Sequence, residues 1–378
     1  MKRSIIRATT VPQSLHLFEG TMPDLIKDYN VHLLSSPGEQ LDLMGKKYNV
    51  KTHSLEMYRR LSPSKDLKSL CQLIKVFRNE KPYMVHSMTP KAGLLCMMAA
   101  WLTKVPVRVH TFTGLVWPTE HGWKRKLLMI TDKITCACAT HVIPEGEGVK
   151  NDLLNNHITK KPIRVLGFGN VMGVDMVRFS RRPEVIEKSK AIADATAFMF
   201  VFVGRIVKDK GINELCLAFE RLNKQHPQTR LFLVGNFEDD IDPISDESKN
   251  IINNTPAIKV VGPQYGDDLL AYYAASDCFV FPSYREGFPN TVLEAGAMGL
   301  PSIVTDINGS RDIIKEGENG TIIPSKDTES LYKVMEKMLI NESWRNTMAN
   351  NARQMVMDRF EQGFVQKCIL EYYNEIMK

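Results

Sequence analysis

The feature that most constrains the fold is an alternation, repeated along the chain, of short β-branched runs with longer helical patterns. Apolar residues recur at helical spacing in DLKSLCQLIKVFRNE and again in INELCLAFERLNKQ. The strand candidates are SIIRATT, VHLLSS, YMVHSMT, VRVHTFTG, THVIPE and IRVLG, then FMFVFVG, RLFLVG, AIKVVG, CFVFPS and PSIVTD. Strands that alternate with helices predict parallel sheets covered on both faces. Two such series predict an α/β protein with two Rossmann-like, doubly wound domains that face each other across a cleft.

The length of 378 residues is more than one ordinary hydrophobic core supports, which also favours two domains. We place the boundary within residues 170–195, where a glycine turn and many polar residues precede the next strong strand. The predicted domains cover residues 1–180 and 190–359. The C-terminal helical stretch, 360–378, is expected to pack on either domain, including back on the first.

The composition is that of a soluble globular protein, which we expect in the cytoplasm: 43% of the residues are hydrophobic and 24% are charged. The opening MKRSIIRATTVPQ lacks the apolar run of a signal peptide. The run GLLCMMAAWL is about half the length that crosses a bilayer, so we expect a buried helix there. The seven cysteines are scattered without metal-ligand spacing. We therefore predict reduced thiols. No DxD-like cluster sits at a strand end, so we also predict no metal requirement.

Charge is unevenly distributed between the two halves of the chain. Residues 1–180 contain 26 Lys and Arg against 14 Asp and Glu, whereas the remainder contains 23 and 29. A basic first half is compatible with an anionic membrane surface or a phosphorylated lipid. It would also suit nucleic acid, but no nucleic-acid-binding motif accompanies the dispersed bases. A solvated surface without a partner explains the charge alone equally well.

The segment VFVGRIVKDKG predicts a phosphate site after a buried strand. Gly204 lets the backbone approach a ligand, and Arg205 and Lys210 supply positive charge beside the start of a helix. The order of residues matches neither a Walker loop nor a dinucleotide fingerprint. A basic loop that merely caps a helix is the alternative for this segment.

The segment SYREGFPNTVLEAGAMGLP places two carboxylates around a strand-to-helix turn. Glu286 lies in the loop, Glu294 lies about one turn inside the helix, and Asn290 and Thr291 lie near the helix start, which can receive an anion. Carboxylates accept two hydrogen bonds from a vicinal diol, so a phosphate site between two of them suits a sugar nucleotide. The pair could instead serve glycoside hydrolysis, although nearby phosphate-binding bases argue against that. Glu294 could also be an ordinary surface carboxylate near a helix N-terminus.

The arrangement resembles the family 4 retaining glycosyltransferases of the GT-B fold, and more closely the bacterial enzymes that build O-antigen, capsule and exopolysaccharide repeat units. The likeness extends over nearly the whole chain. Its most specific part is the E-x7-E segment, preceded about eighty residues earlier by G-R-x-x-x-D-K-G. Other matching stretches are HSMTPKAGLL, RVHTFTGLVW, VLGFGNVMGVDMVRF and TDINGSRDIIKEGENGTIIP.

The resemblance implies that the first predicted domain, 1–180, binds the acceptor and that the second, 190–359, binds the sugar-nucleotide donor. It also implies a role for each residue of the predicted site. Arg205 and Lys210 hold the donor diphosphate and neutralise it as it leaves, Glu294 binds the ribose hydroxyls, and Glu286 meets the transferred sugar near its C3 and C4 hydroxyls. Backbone groups of 287–291 cradle the phosphates. The full donor-binding set is Gly204, Arg205, Lys210, Gly262, Gly287, Phe288, Asn290, Thr291 and Glu294, and the catalytic set is Glu286, Arg205, Lys210 and His110.

The sequence departs from the family pattern in the first half. Many relatives carry a histidine directly before Gly114, where this chain has Thr113, and the histidine here is His110. We keep His110 as a candidate contact to the sugar or acceptor, although a histidine beside a strand is more often a packing residue. The glycine-rich first loop is missing, and only Gly20 is available there. Lys91, at a predicted helix start, either faces a phosphate or is a plain N-terminal lysine.

The resulting hypothesis is a retaining, metal-independent glycosyltransferase without a cofactor. It moves an N-acetylhexosamine or related hexose from a UDP-sugar to a polyprenyl-diphosphate-linked saccharide, at the inner face of the cytoplasmic membrane. The predicted membrane-facing stretch is GWKRKLLMI together with Trp117, since aromatic and basic residues suit a headgroup layer. A capped surface helix is the alternative there. Rival functions are a sugar-nucleotide epimerase or hydrolase of the same fold, and a non-catalytic sugar-nucleotide-binding module.

Overall fold

Two six-stranded parallel sheets covered by helices form the architecture of the computed structural model. The structure describes residues 2–58, 62–240 and 242–378. Each sheet is doubly wound: the chain builds strands outward in one direction from a central strand and then in the other. The predicted α/β class is therefore confirmed.

The two sheets belong to two units. Unit 1 comprises Met1–Gly173 together with Gln362–Lys378, and unit 2 comprises Val174–Glu361. The segment 174–180, which the sequence analysis assigns to the first domain, lies in unit 2, because two of its carbonyl oxygens accept hydrogen bonds from Arg353.

The sheet of unit 1 has the strand order β3-β2-β1-β4-β5-β6. Its strands are β1 (Ser4–Ala8), β2 (Asn30–Ser35), β3 (Lys51–Ser54), β4 (Met84–Met88), β5 (Val107–Phe112) and β6 (His141–Pro144). Its helices, numbered in chain order through both units, are α1 (Met22–Asp28), α2 (Glu39–Tyr48), α3 (Pro63–Glu80), α4 (Pro90–Leu102), α5 (Gly122–Cys138), α6 (Glu147–Asn155) and α15 (Gln362–Ile376). Short 3₁₀ helices cover Pro12–Thr21 and Trp117–Thr119.

The apolar run GLLCMMAAWL forms most of α4, which is largely buried, as predicted, although Trp101 and Leu102 at its C-terminal end are 56% and 46% exposed. Within the described ranges, no helix has both the length and the apolar content required to cross a bilayer. The prediction that IRVLG is a strand is wrong. Residues 163–167 pair with no strand, so β6 remains the edge of the sheet, and they end in a turn at Gly167, which packs against α15.

The sheet of unit 2 has the strand order β12-β11-β10-β7-β8-β9. Its strands are β7 (Phe198–Val203), β8 (Thr229–Val234), β9 (Ile258–Gly262), β10 (Cys278–Phe281), β11 (Ser302–Thr305) and β12 (Gly320–Ile323). Its helices are α7 (Pro183–Lys190), α8 (Ile212–Gln225), α9 (Asp246–Asn254), α10 (Gly266–Ala275), α11 (Asn290–Ala297), α12 (Ser310–Ile313), α13 (Thr328–Ile340) and α14 (Glu342–Phe360), with a 3₁₀ turn at Lys208–Lys210.

The core of unit 2 explains where its loops meet. The six residues of β7 are all buried, and β7 pairs with β8 on one side and β10 on the other. The predicted apolar face of α8 is buried against this sheet. Because all strands are parallel, the loops that follow β7, β8, β9 and β10 emerge at one edge of the sheet, where ligands bind in folds of this type.

Candidate active site

Three glycines stand side by side where β7, β8 and β9 end. The N–H of Gly204 donates to the carbonyl of Val234 at 3.0 Å, and the N–H of Gly235 donates to that of Gly262 at 3.0 Å. A Cβ at Gly235 would lie 1.8 Å from the Gly204 carbonyl oxygen, so only glycine fits. A Cβ at Gly262 would meet nothing within 4 Å. The backbone at this edge therefore leaves space beside Gly262 for a ligand.

The ammonium of Lys210 forms an ion pair with Oε1 of Glu286, although the two residues are 76 positions apart. Both side chains are mostly buried, with exposed fractions of 14% and 15%. The Ser283 hydroxyl donates to the same Oε1 at 2.8 Å, and the Lys210 ammonium also lies 5.3 Å from the centre of the Phe281 ring. The carboxylate is therefore held by two donors on one oxygen.

A second set of contacts fixes the loop after β7 to the loop after β10. Arg285 Nε donates to Oδ2 of Asp209 at 2.8 Å, and the Tyr284 N–H donates to the Asp209 carbonyl at 2.9 Å. Gly211, with φ +72°, is the N-cap residue of α8, and a Cβ there would lie 2.0 Å from the Pro282 carbonyl oxygen. The close approach of these two loops positions Lys210 against Glu286.

Arg205 lies at the rim of the same edge. Its side chain is 50% exposed, and Nη1 donates to Oε2 of Glu238, just after β8, at 2.8 Å. An exposed ion pair of this kind contributes little to stability, so a phosphate can replace Glu238 as the partner at small cost. Arg205 is therefore free to turn toward an anion.

The loop before α11 is held in place by contacts with Gly309 and Phe360. Pro289 takes the N-cap position, and Asn290 is the first helical residue. Gly309 packs tightly on this loop: a Cβ added at this position would lie 2.5 Å from the Gly287 carbonyl oxygen. The Phe288 ring is buried against Phe360, with ring centres 5.4 Å apart. Phe288 can therefore meet a ligand only through its backbone.

Glu294 sits in the second turn of α11, where the Tyr273 hydroxyl donates to its Oε2 at 3.2 Å. Burial raises the pKa of Glu294 from its ordinary 4.5 to about 7, against the lowering effects of the Tyr273 hydrogen bond and the Arg178 charge. The pKa of Tyr273 is raised well above 10 by burial and by Glu294, so Tyr273 stays a donor. This carboxylate is poorly solvated and has unused acceptor capacity, which suits a hydroxyl-rich ligand.

The structure thus places the predicted residues of unit 2 along one sheet edge and in the helix start beside it. Two partners were missed by the sequence analysis, Ser283 and Tyr273. Ser283 lies three residues before Glu286, at the start of the segment SYREGFPNTVLEAGAMGLP, and its hydrogen bond to Glu286 is a local contact within the turn. Tyr273 lies on α10, and no local pattern connects it with Glu294.

His110 is in unit 1 and is not brought to a surface. Its side chain is 1% exposed on β5, and its Nδ1 lies 2.9 Å from the Ser87 hydroxyl. The ring packs on Gly93 and meets Phe112 edge-on at 4.5 Å. Burial lowers the pKa of His110 to about 3, so the ring is neutral at physiological pH. This environment is that of a packing residue and offers no route for a substrate to the ring.

The structure also places two other residues of unit 1. The Lys91 ammonium is buried and pairs with Oδ2 of Asp66 at 2.6 Å. Trp117 does not face a membrane, since it is 1% exposed and donates from Nε1 to Oδ2 of Asp132 at 3.0 Å. Trp123, by contrast, is 75% exposed on α5.

Comparison with known protein families gives two matches that together span most of the chain. The model described as "Glycosyl transferase 4-like domain" matches residues 28–169, and the model described as "Glycosyl transferases group 1" matches residues 185–355. These two stretches fall in unit 1 and unit 2 respectively.

The curated relatives include the capsular polysaccharide biosynthesis glycosyltransferase CapM of Staphylococcus aureus. It is 33% identical over 379 residues, covering 100% of this chain and 98% of the relative. The UDP-Gal:α-D-GlcNAc-diphosphoundecaprenol α-1,3-galactosyltransferase of Escherichia coli is 28% identical over 308 residues, covering 80% and 78%. Among solved structures, Anabaena Alr3699/HepE in complex with UDP superposes with a TM-score of 0.82 at 16% identity, covering 99% and 100%.

Proposed function

The chain belongs to the group 1 glycosyl transferases, and we propose that it moves an N-acetylhexosamine or a related hexose from a UDP-linked donor to a saccharide carried on a polyprenyl diphosphate. The product serves surface-polysaccharide biosynthesis. Support for this choice comes from the relatives: one is named for capsule biosynthesis, and the other for a UDP-sugar donor and a diphosphoundecaprenol-linked acceptor.

The observation that carries the proposal is the Lys210–Glu286 ion pair, mostly buried beside the start of α11. A diphosphate bound between this helix start and the loop after β7 meets Lys210 from one side and Arg205 from the rim. The two cations balance the charge that develops on the leaving nucleotide, the task that a divalent metal performs in other transferases. Transfer therefore proceeds in the presence of EDTA.

Glu286 is the group assigned to the transferred sugar. Its Oε1 already accepts from Lys210 and Ser283, while its Oε2 has no hydrogen-bond partner among the residues that the structure describes. That oxygen accepts from the sugar hydroxyls, and the ion pair keeps the carboxylate in place. Glu294 accepts from the ribose hydroxyls, with Tyr273 holding its second oxygen. Nucleotide and sugar are thus recognised by separate carboxylates.

The proposed reaction retains the anomeric configuration. The acceptor hydroxyl attacks the anomeric carbon on the face from which the nucleotide diphosphate departs, the bond from that carbon to the phosphate oxygen breaks, and the departing phosphate takes the hydroxyl proton. The buried, neutral His110 takes no part. Lys210 and Arg205 lower the barrier by stabilising charge that is greater in the transition state than in the bound donor.

The membrane contact is assigned to the exposed stripe of α5. Trp123, Lys126, Ile130 and Lys133 follow one another at helical spacing, and Trp123 and Ile130 are 75% and 51% exposed. Apolar and basic side chains on one helix face suit an anionic headgroup layer. This stripe brings unit 1 to a lipid-linked acceptor.

The test is release of nucleotide diphosphate from UDP- and GDP-sugars, with and without a lipid-diphosphate-linked saccharide, in EDTA. Acceptor-dependent release that Glu294→Ala abolishes, with the anomeric configuration of the new glycoside read by NMR, would support the proposal. The exposed Glu329→Gln variant of the same unit serves as a charge-matched control. Release of free sugar without acceptor would indicate a hydrolase, a changed sugar would indicate an epimerase, and binding without turnover would indicate a binding module.

A further inference from the structure

Three side chains that no predicted motif contains converge at the β3 edge of the unit 1 sheet. His32 lies on β2, His53 lies on β3, and Glu80 is the last residue of α3. One nitrogen from each histidine and one carboxylate oxygen all lie within 4.8 Å of one another. These residues belong to unit 1, whereas the proposed donor-binding residues belong to unit 2, so the cluster has no assigned role.

Strand register explains why the two histidines meet. His32 is directly opposite Lys51 in the parallel pair, and His53 is two residues further along β3, so both rings project from the same face. The rings stack with centres 5.3 Å apart, and His32 Nδ1 lies 3.0 Å from His53 Nε2. Oε2 of Glu80 lies 3.6 Å from the same His32 Nδ1.

We infer that His32, His53 and Glu80 bind one divalent transition-metal ion, with Zn²⁺ the best match. Zn–N and Zn–O bonds of about 2.0–2.1 Å in a tetrahedron place neighbouring ligand atoms about 3.3–3.4 Å apart. The separations of 3.0 and 3.6 Å lie on either side of that value. Two imidazoles with one carboxylate select zinc and its neighbours over Mg²⁺ and Ca²⁺, which prefer all-oxygen sites.

The chemistry of the three groups fits such an ion. Each imidazole offers one ring nitrogen and the carboxylate offers one oxygen, so the three side chains supply three of the four ligands of a tetrahedral site.

Neighbouring side chains support two of the ligands. The Asn30 carboxamide lies 3.0 Å from His32 Nε2. When Nδ1 binds a metal, Nε2 carries the proton, and rotation of the amide presents the Asn30 oxygen as its acceptor. Lys51 donates to Oε1 of Glu80 at 2.8 Å and leaves Oε2 for the ion. The Lys51 charge opposes a cation, so its removal should tighten binding.

The ion's place in the fold indicates a structural role. It would tie the edge strand β3 and its neighbour β2 to the C-terminal end of α3, leaving one coordination position for water. Glu80 is 20% exposed, and Asn30 and Lys51 line a surface pocket of about 340 Å³, so solvent reaches the site. The bound ion should stabilise unit 1 without entering the transfer reaction.

The experiment uses the full chain, stripped with EDTA, desalted, and carrying Cys71→Ser to remove an exposed competing thiol. We expect one equivalent of Zn²⁺ by calorimetry, no binding of Mg²⁺, a higher thermal midpoint with Zn²⁺, and the visible spectrum of tetrahedral Co²⁺. His53→Gln should weaken Zn²⁺ binding at least tenfold, Lys51→Gln should strengthen it, and His16→Gln, which alters an exposed histidine of the same unit, should leave it unchanged.

Circular dichroism and the metal-free thermal midpoint establish that each variant is folded. Equal Zn²⁺ affinity in the His53→Gln and His16→Gln proteins, or a Co²⁺ spectrum without tetrahedral bands, would overturn the assignment. Nucleotide release by the parent should be the same with Zn²⁺ and with EDTA, which separates this site from the proposed transfer. A Zn²⁺ requirement for turnover would contradict the structural role.

Discussion

Replacing Glu294 with glutamine should stabilise unit 2 while it damages the site. The folded-state pKa of about 7 exceeds the ordinary 4.5 because burial removes water from the carboxylate. Ionised Glu294 therefore costs nothing below about pH 4.5, and its cost grows as the pH rises until it is complete above about pH 7. At about 1.4 kcal/mol for each pKa unit, the full cost to the free energy of unfolding is about 3 kcal/mol.

Glutamine keeps the shape and one acceptor oxygen for Tyr273 but carries no charge, so it avoids this cost. The difference between Glu294→Gln and the parent should be small at pH 5 and about 3 kcal/mol at pH 8. The free energy of unfolding of unit 2 can be measured by urea titration at both pH values. A hydrogen-exchange pulse at each urea concentration, read on peptides of unit 2, separates its unfolding from that of unit 1. The same variant should bind the donor nucleotide more weakly, a gain in stability at the expense of function.

Glu329→Gln is the matched control, because it removes one carboxylate from the surface of the same unit. Ion pairs with Arg221 and Lys333 lower the pKa of Glu329, so its loss should reduce stability at pH 8 rather than increase it. If Glu294→Gln and the parent had equal urea midpoints at pH 8, or differed equally at pH 5 and pH 8, the argument from the buried carboxylate would be refuted.

Three further predictions concern the loops and the surface. Lys210→Met should lower kcat for acceptor-dependent nucleotide release by about 10²–10³-fold, the usual effect of losing one preorganised charge-stabilising group; an unchanged kcat at saturating donor would exclude the assigned role. Gly211→Ala should lower the calorimetric midpoint more than Gly262→Ala. Both residues have φ near +70°, which costs alanine about 1–2 kcal/mol, but only at 211 would the Cβ lie 2.0 Å from the Pro282 carbonyl oxygen; equal shifts would show that the clash is relieved. Trp123→Ser should weaken cosedimentation with anionic vesicles, and binding of the parent protein should fall as the salt concentration rises. If neither changed, α5 would not be the membrane-contacting helix.

The central strands of both sheets were predictable because they are buried on both faces and consist of continuous apolar runs. The edge strands β3 and β12 were missed. They are four residues each, β3 is polar and partly exposed, and each pairs on one side only, so neither needs the apolar run that marks a strand. IRVLG shows the opposite error, since Leu166 packs in the same apolar cluster as Val365 and Ile369 of α15 although the stretch forms no strand.

The positions of the candidate site residues in loops or helices were also predictable where a short segment of sequence defines the local structure. The E-x7-E segment placed Glu286 in a loop and Glu294 in a helix, and both positions are confirmed. The side chains of Trp117 and Lys91 could not be placed, because their burial depends on Asp132 and Asp66 from other helices. Burial that depends on a contact with another helix produces no periodic pattern in the sequence.

The two α/β series, the glycines and bases at strand ends, and the carboxylates around the start of α11 are all visible in the amino-acid sequence. Which of these groups touch depends on the tertiary structure. β10 lies beside β7 in the sheet, so the loops that follow them meet and Lys210 reaches Glu286 across 76 positions. The raised pKa of Glu294 and the convergence of His32 with His53 have the same origin. Electrostatic effects depend on distance and solvent exposure, and both are properties of the packed strands and helices rather than of any local segment.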